Sequence, residues 1–224
     1  MTGGQDARPL RLAVLASGNG SNLQAIIDAC AAPDFGARVV AVFSDKPAAF
    51  ALQRARAAGI QAVALPFTKG QARGGYDATL AGEVAVSEPD FVLLLGWMRL
   101  LSGSFLSRFP GQVVNLHPAL PGTFPGTHAI ERALDAYRAG ALDRTGVMTH
   151  FVPDEDVDSG PVILAAEVPI RPDDTLASLE ARAHIAEHRL IVDTVKRLVD
   201  TYRPRSPGDG EQGRERARKV ENDE

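Results

Sequence analysis

The chain has a single cysteine, Cys30, so it can form neither an intrachain disulfide nor a cysteine-based metal site. Cys30 follows Ile26 and Ile27 in a helical pattern and is expected to act as a small buried hydrophobe. No apolar run approaches the roughly 20 residues that cross a bilayer, and no charged start with a greasy core announces secretion, so a cytoplasmic location is expected. The formal charge of −4 offers no general attraction to nucleic acid or to an acidic membrane, and neither is expected as a partner. Any anionic ligand must then be held by local groups. Also missing are G-x-x-x-x-G-K-[ST], H-E-x-x-H and the calcium-loop spacing, and the Gly-rich turn after the first strand, Ser17 to Asn22, does not match G-x-G-x-x-G. Their absence disfavours a nucleoside triphosphatase, a dinucleotide site, and zinc or calcium centres of those types.

What is present is ordinary globular material, 45% hydrophobic and long enough for one sizeable core. Met1 to Pro9 has no apolar period and is expected to be a flexible start outside the fold. From Leu10 onward the pattern alternates. Arg11 to Ala16, Arg38 to Phe43, Gln61 to Leu65, Phe91 to Leu95 and Gln112 to Leu116 read as strands. Leu23 to Ala31, Ala48 to Ala58, Tyr76 to Ser87 and Thr127 to Ala139 read as the helices between and after them. Such βαβ units imply an α/β fold, a mostly parallel central sheet flanked by helices on both faces. Gly146 to Val152 and Val162 to Pro169 follow without a helix between them, an antiparallel extension near the C-terminal end. Thr175 to Tyr202 reads as one long helix, with Asp173 or Asp174 able to cap it. Residues 10 to 202 therefore form the one expected domain. Arg203 to Glu224 is rich in charge of both signs with only Ala217 and Val220 plainly apolar, and is expected to be a disordered tail.

Asn115-Leu116-His117-Pro118 stands where the fifth strand ends. Residues two apart on a strand share a face, and ligands of an open parallel sheet bind outside the carboxyl ends of its strands. There an amide can hold a developing oxyanion while an imidazole moves a proton, although the same residues before a proline also close turns. Ser17-Gly18-Asn19-Gly20-Ser21-Asn22 follows the first strand and opens the first helix. Its free N–H groups and positive dipole end suit a phosphate; the alternative is a plain turn with Ser21 or Asn22 as the cap. Gly96-Trp97-Met98-Arg99-Leu100-Leu101 ends the central strand and offers apolar surface beside a cation, suited to an aromatic ring bearing acidic groups, or to the core. The acidic stretch Asp154 to Pro161 is either a solvated loop or, folded over the sheet rim, the source of a carboxylate that raises the pKa of His117. His128, His150, His184 and His188 are the other histidines, each either structural or near the site.

In their order along the chain, S-G-N-G-S-N, G-W-M-R-L-L, N-L-H-P and H-F-V with a later D-x-G-P resemble the phosphoribosylglycinamide formyltransferase family of purine biosynthesis, from about Arg11 to Val195. The resemblance implies a Rossmann-like formyltransferase fold and an enzyme that needs no metal. It implies transfer of the formyl group of 10-formyltetrahydrofolate, the co-substrate, to the amine of phosphoribosylglycinamide. By motif, Gly20, Ser21 and Asn22 match the residues on the substrate phosphate, and Glu187 the one on the ribose. Arg73, Met98, Arg99, Leu100, Leu101, Asn115, Val152 and Pro153 match those around the folate, and Asn115, His117 and Asp158 the catalytic trio. The implied partners are these two small molecules, and a homodimer stays open.

The implied mechanism is direct attack of the amine on the formyl carbon, with Asn115 and protonated His117 stabilising the oxyanion and Asp158 raising the histidine's pKa. Three departures from the family pattern stand out. Ala119-Leu120-Pro121-Gly122 replaces S-L-L-P after His117-Pro118, Met148-Thr149 moves a hydroxyl by one residue along its strand, and the segment from His150 to Asp158 is one residue longer. The moved hydroxyl faces the other side of its strand, so a supporting hydrogen bond is expected to be lost. The rival readings are a 10-formyltetrahydrofolate deformylase, a methionyl-tRNA formyltransferase and a non-enzymatic nucleotide binder. The first is expected to carry a regulatory domain before the first strand, the second a further domain and a basic tail; the third leaves Asn115, His117 and Asp158 without a task.

Overall fold

Strands form where short apolar runs meet Gly-rich turns, and their order places the rim that matters. The computed structural model describes residues 8–202; the expectations for 1–7 and for Arg203 to Glu224 lie outside the described residues. Five parallel strands, β1 (Leu10–Leu15), β2 (Ala37–Ser44), β3 (Gln61–Ala64), β4 (Phe91–Leu94) and β5 (Val113–His117), join two antiparallel ones, β6 (Arg144–Phe151) and β7 (Val162–Pro169). The sheet order is β3-β2-β1-β4-β5-β6-β7. The order reverses between β1 and β4, which is where open α/β sheets bind ligands.

Helices α1 (Ser21–Cys30), α2 (Phe50–Ala57), α5 (Ala129–Arg138) and α6 (Leu176–Thr201) pack one face of the sheet, and α3 (Arg73–Val86) with α4 (Gly103–Leu106) the other. Phe91–Leu94 is buried throughout because both faces are covered, as its unbroken apolar run implies. Cys30 packs against the first of these cores, and burial pushes its thiol pKa up to about 11. It is half-buried rather than fully buried as expected.

Several boundaries differ from the sequence reading. Arg8 was expected outside the fold, yet its guanidinium bonds both oxygens of Asp90 at 2.7 and 2.8 Å. Thr175, not Asp173 or Asp174, caps α6, in a reciprocal box with Ser178. Asp174 instead bonds Arg182, Ser178 and the Arg171 amide. The hydroxyl of Thr149 is fully buried and lies 2.8 Å from Thr194 on α6, so its shift along the strand gives it a helix partner rather than leaving it without one. After His117-Pro118, Ala119 is buried and the Leu120 side chain lies over Gly146, where a Cβ would meet it at 2.3 Å. The altered loop is thus seated on β6.

Candidate active site

Along the carboxyl ends of β1, β4 and β5 runs a cleft of about 860 Å³. Its floor is tied together at the strand reversal: the Ser17 amide donates to Gly96 O at 3.0 Å, and the buried Ser17 hydroxyl accepts from the Met98 amide at 3.0 Å. Among the expected residues, Gly20, Ser21, Asn22, Met98, Arg99, Leu100, Leu101, Asn115, His117, Val152, Asp158 and Glu187 line it. Arg73 and Pro153 do not.

Alternation along β5 sends Val114 and Leu116 into one core and leaves Asn115 and His117 on the opposite face with Val113. The β5–β6 register sets His150 directly beside Asn115. Asp158 reaches all three. Its Oδ1 accepts from Asn115 Nδ2 at 2.9 Å, its Oδ2 accepts from the Gly126 amide at 2.8 Å, and His117 Nδ1 stands 3.2 Å from Oδ2. His150 Nε2 lies 3.4 Å from Asp158 and 3.2 Å from Asn115 Nδ2. Burial pushes the Asp158 carboxyl up, but its contacts with His150, the Gly126 amide and His117 outweigh that and hold it below the usual carboxylate range. The D-x-G-P match therefore puts its aspartate beside the histidine despite the extra residue in the segment.

The electrostatic expectation for His117 is corrected. Burial, joined by the charges of His150 and Arg132, lowers its pKa from 6.5 against the raising effects of Asp158 and the Phe124 carbonyl, which favours the neutral ring. Its other nitrogen, Nε2, is 3.0 Å from Phe124 O, which also accepts from Arg132 at 2.8 Å. Both ring nitrogens thus face acceptors, while a neutral imidazole has one N–H to give. The site is arranged to receive a second proton on His117.

Phe124, His128 and Asp158 all have positive φ, at 44°, 58° and 53°. Non-glycine residues held there cost about 1–3 kcal/mol each, and such strain gathers where surrounding contacts enforce it. Gly160 sets the return of the Asp158 loop, because a Cβ there would meet Phe151 O at 1.9 Å. Gly160→Ala is expected to displace that loop, costing roughly 1–3 kcal/mol. Thermal unfolding should show a drop of about 2–4 °C per kcal/mol; an unchanged Tm and kcat would show that the loop accommodates the methyl group.

At the other end of the cleft, Gly20 takes φ 74° and caps α1 without a side-chain bond, correcting the reading of Ser21 or Asn22 as a cap. A Cβ on Gly20 would lie 2.8 Å from the Ala51 backbone. The first-turn amides therefore keep their capacity for an anion. Asn22 Nδ2 donates to the buried carboxylate of Glu187 at 3.0 Å, and Asn22 Oδ1 is buried with no protein partner. Lys46, after β2, lines the same cleft; no motif pointed to it.

The wall after β4 is apolar and partly bare: Met98 is 63% and Leu100 53% exposed. Trp97 Nε1 is buried without a partner. Arg99 stacks on Phe67, its guanidinium carbon 3.6 Å from the ring centroid, and so is not free to point inward. Arg73 opens α3 and is engaged by Glu155 and by Leu101 O at 3.2 Å. Glu155 itself accepts from the Gly103 amide, which with Arg73 holds its carboxyl low. Sequence reasoning missed Ser17, although it heads the S-G-N-G-S-N motif, and weighed His150 only as one histidine among several. Among the described residues, no cluster of three or more His, Cys, Asp or Glu side chains is placed to hold a metal ion. No described helix is long and apolar enough to cross a membrane.

The formyl transferase family model matches residues 10–195. A phosphoribosylglycinamide formyltransferase of Dictyostelium discoideum is 41% identical over 200 residues, covering 84% of this chain and 97% of that one. The protein of the same name from Escherichia coli K12 is 43% identical over 181 residues, covering 81% and 83%. The crystal structure of glycinamide ribonucleotide transformylase 1 from Symbiobacterium toebii superposes with a TM-score of 0.80 at 38% identity, covering 86% of this chain and 88% of that one. With the match running from β1 into α6 and the likeness extending over most of each relative, this chain belongs to the formyl transferase family, among the phosphoribosylglycinamide formyltransferases.

Proposed function

We propose that the chain transfers the formyl group of 10-formyltetrahydrofolate to the amine of phosphoribosylglycinamide, in purine biosynthesis. One observation carries the reading: a single cleft contains a helix start with no side-chain cap, suited to a phosphate, a bare apolar wall suited to a flat ring, and the Asn115, His117 and Asp158 trio. A volume of about 860 Å³ suits two small substrates.

In this reading the amides of Ser21 and Asn22 receive the phosphate and the Glu187 carboxylate a ribose hydroxyl. Trp97, Met98, Leu100, Leu101 and Val152 cover the pteridine ring, which explains the exposure of Met98 and Leu100. The amine attacks the formyl carbon and loses a proton to neutral His117. The imidazolium so formed satisfies both of its acceptors, with Asp158 stabilising the charge. Asn115 Nδ2 is engaged by Asp158 and His150; the longer contact, to His150, is the one a developing oxyanion replaces. His117 then returns the proton to the departing folate nitrogen. No nucleophilic side chain takes part.

The test follows folate absorbance with the purified chain and 10-formyltetrahydrofolate, with and without phosphoribosylglycinamide. Turnover only with the amine is the expected result. Turnover without it would make the protein a deformylase, and none in either case would overturn the reading.

A further inference from the structure

Between β5 and α5 the backbone takes positive φ at Gly122, Phe124, Gly126 and His128, at 75°, 44°, 78° and 58°. For a bulky residue such as Phe124 this conformation is costly and persists only where contacts enforce it. Arg132 supplies those contacts. From α5 its Nη2 donates to Phe124 O at 2.8 Å and to Pro125 O at 2.6 Å, and its guanidinium carbon lies 5.7 Å from the centre of the Phe124 ring. The carbonyl so held is the one that stands 3.0 Å from His117 Nε2.

We infer that Arg132 is a positioning residue for formyl transfer, fixing the Phe124 carbonyl as the acceptor that the His117 ring needs when it carries its second proton. The inference rests on the reading of His117 as the proton-transfer group. Three features support it. Neither Arg132 nor Phe124 lines the cleft, so the arginine works on the ring from behind and not on a substrate. Arg132 sits near the positive end of α5, where a cation gains nothing from the helix dipole, so the helix itself does not call for it. A carbonyl oxygen has two lone pairs, and Phe124 O can accept from Arg132 and from a protonated His117 together.

The sign of its effect on the ring follows from the groups around it. These are Asp158 from the loop before β7, His150 from β6, and Phe124 O with Arg132 behind it. The Phe124 carbonyl raises the pKa of His117 and the Arg132 charge lowers it, the carbonyl being the stronger of the two. Losing only the charge would move the ring's titration midpoint up. Losing the carbonyl along with it moves the midpoint down.

The experiment compares Arg132→Met and Arg132→Gln with the wild type, and Arg132→Met with His117→Ala singly and combined. Arg132→Met should lower kcat roughly ten- to hundredfold, the scale of one hydrogen bond to a charged group. KM for phosphoribosylglycinamide and for the formyl folate should stay unchanged. In the His117→Ala background the same substitution should add no further loss in single-turnover rate, because a residue that acts through the imidazole has nothing left to act on. Ring nitrogen NMR should show the His117 midpoint lower in Arg132→Met than in the wild type. Arg132→Gln, shorter and uncharged, carries the same expectations if the Met variant fails to fold.

An equal loss of rate with and without His117 would make Arg132 a structural residue of α5 and overturn the inference. A midpoint that rises or stays would overturn it too, since the carbonyl would then hold its place without the arginine. So would a raised KM with kcat unchanged, the mark of a residue that binds substrate. Failure of the transferase reading is distinct, and would show as a wild type with no amine-dependent turnover.

Discussion

Replacing His117 with alanine lowers kcat by roughly 10²–10⁴-fold, the usual contribution of a positioned proton-transfer group. Binding of phosphoribosylglycinamide stays nearly intact, because the residues assigned to its phosphate and ribose sit on α1 and α6 and make no contact with the imidazole. The histidine is 4% exposed, at the end of β5, with one ring nitrogen toward Asp158 and the other toward Phe124 O. Its removal leaves the reacting amine without a base and the departing folate nitrogen without an acid. Single-turnover rates together with calorimetric titration of phosphoribosylglycinamide check both halves. Equal loss of binding and turnover would make His117 a structural residue of the strand end.

Asp158→Asn should lower kcat by about 10²-fold, at the lower end of the same range, because the imidazolium formed during transfer loses its counter-ion. The sign of the accompanying pH change follows from the causes at His117. Burial lowers its pKa and Asp158 is the largest influence raising it, so an uncharged residue at 158 moves the pKa further down. In the proposed mechanism His117 acts as a base in its neutral form, so activity is expected to appear as pH rises through its pKa. The acid limb of the kcat profile, and the NMR titration midpoint of the ring, should therefore shift to lower pH in the variant. If neither moves, the carboxylate role passes to Asp154 or Asp156, which also line the cleft.

The same two groups tie stability to pH. Both have folded pKa values below their ordinary 6.5 and 3.8, so the folded protein prefers His117 neutral and Asp158 ionised. That contribution is present above the ordinary values and is lost as pH falls, first through the histidine range and then through the carboxylate range.

Much of the fold was legible because its signals are local. The unbroken apolar run Phe91 to Leu95 could only be a covered strand, and the change of pattern after Ala139 announced the antiparallel extension. The short helix Gly103–Leu106 was missed because four residues carry no period. Arg73 precedes the helix expected from Tyr76 to Ser87, yet it begins α3 and is engaged by Glu155 and Leu101 O. A sequence cannot show which carboxylate reaches a given arginine across a turn.

By itself, the sequence determined the order of strands and helices, the Gly-rich turn before α1, and the shared face of Asn115 and His117, since each depends on residues adjacent in the chain. Tertiary structure alone decided what the trio's histidine is at rest. Its proximity to Asp158 argues for a raised pKa, but the core around β5 withdraws it from water, and desolvation outweighs the nearby charge. Tertiary structure also decided that His150 stands beside Asn115 and that Glu187 meets Asn22. Those partners are far apart in sequence, and only sheet register and helix packing bring them together.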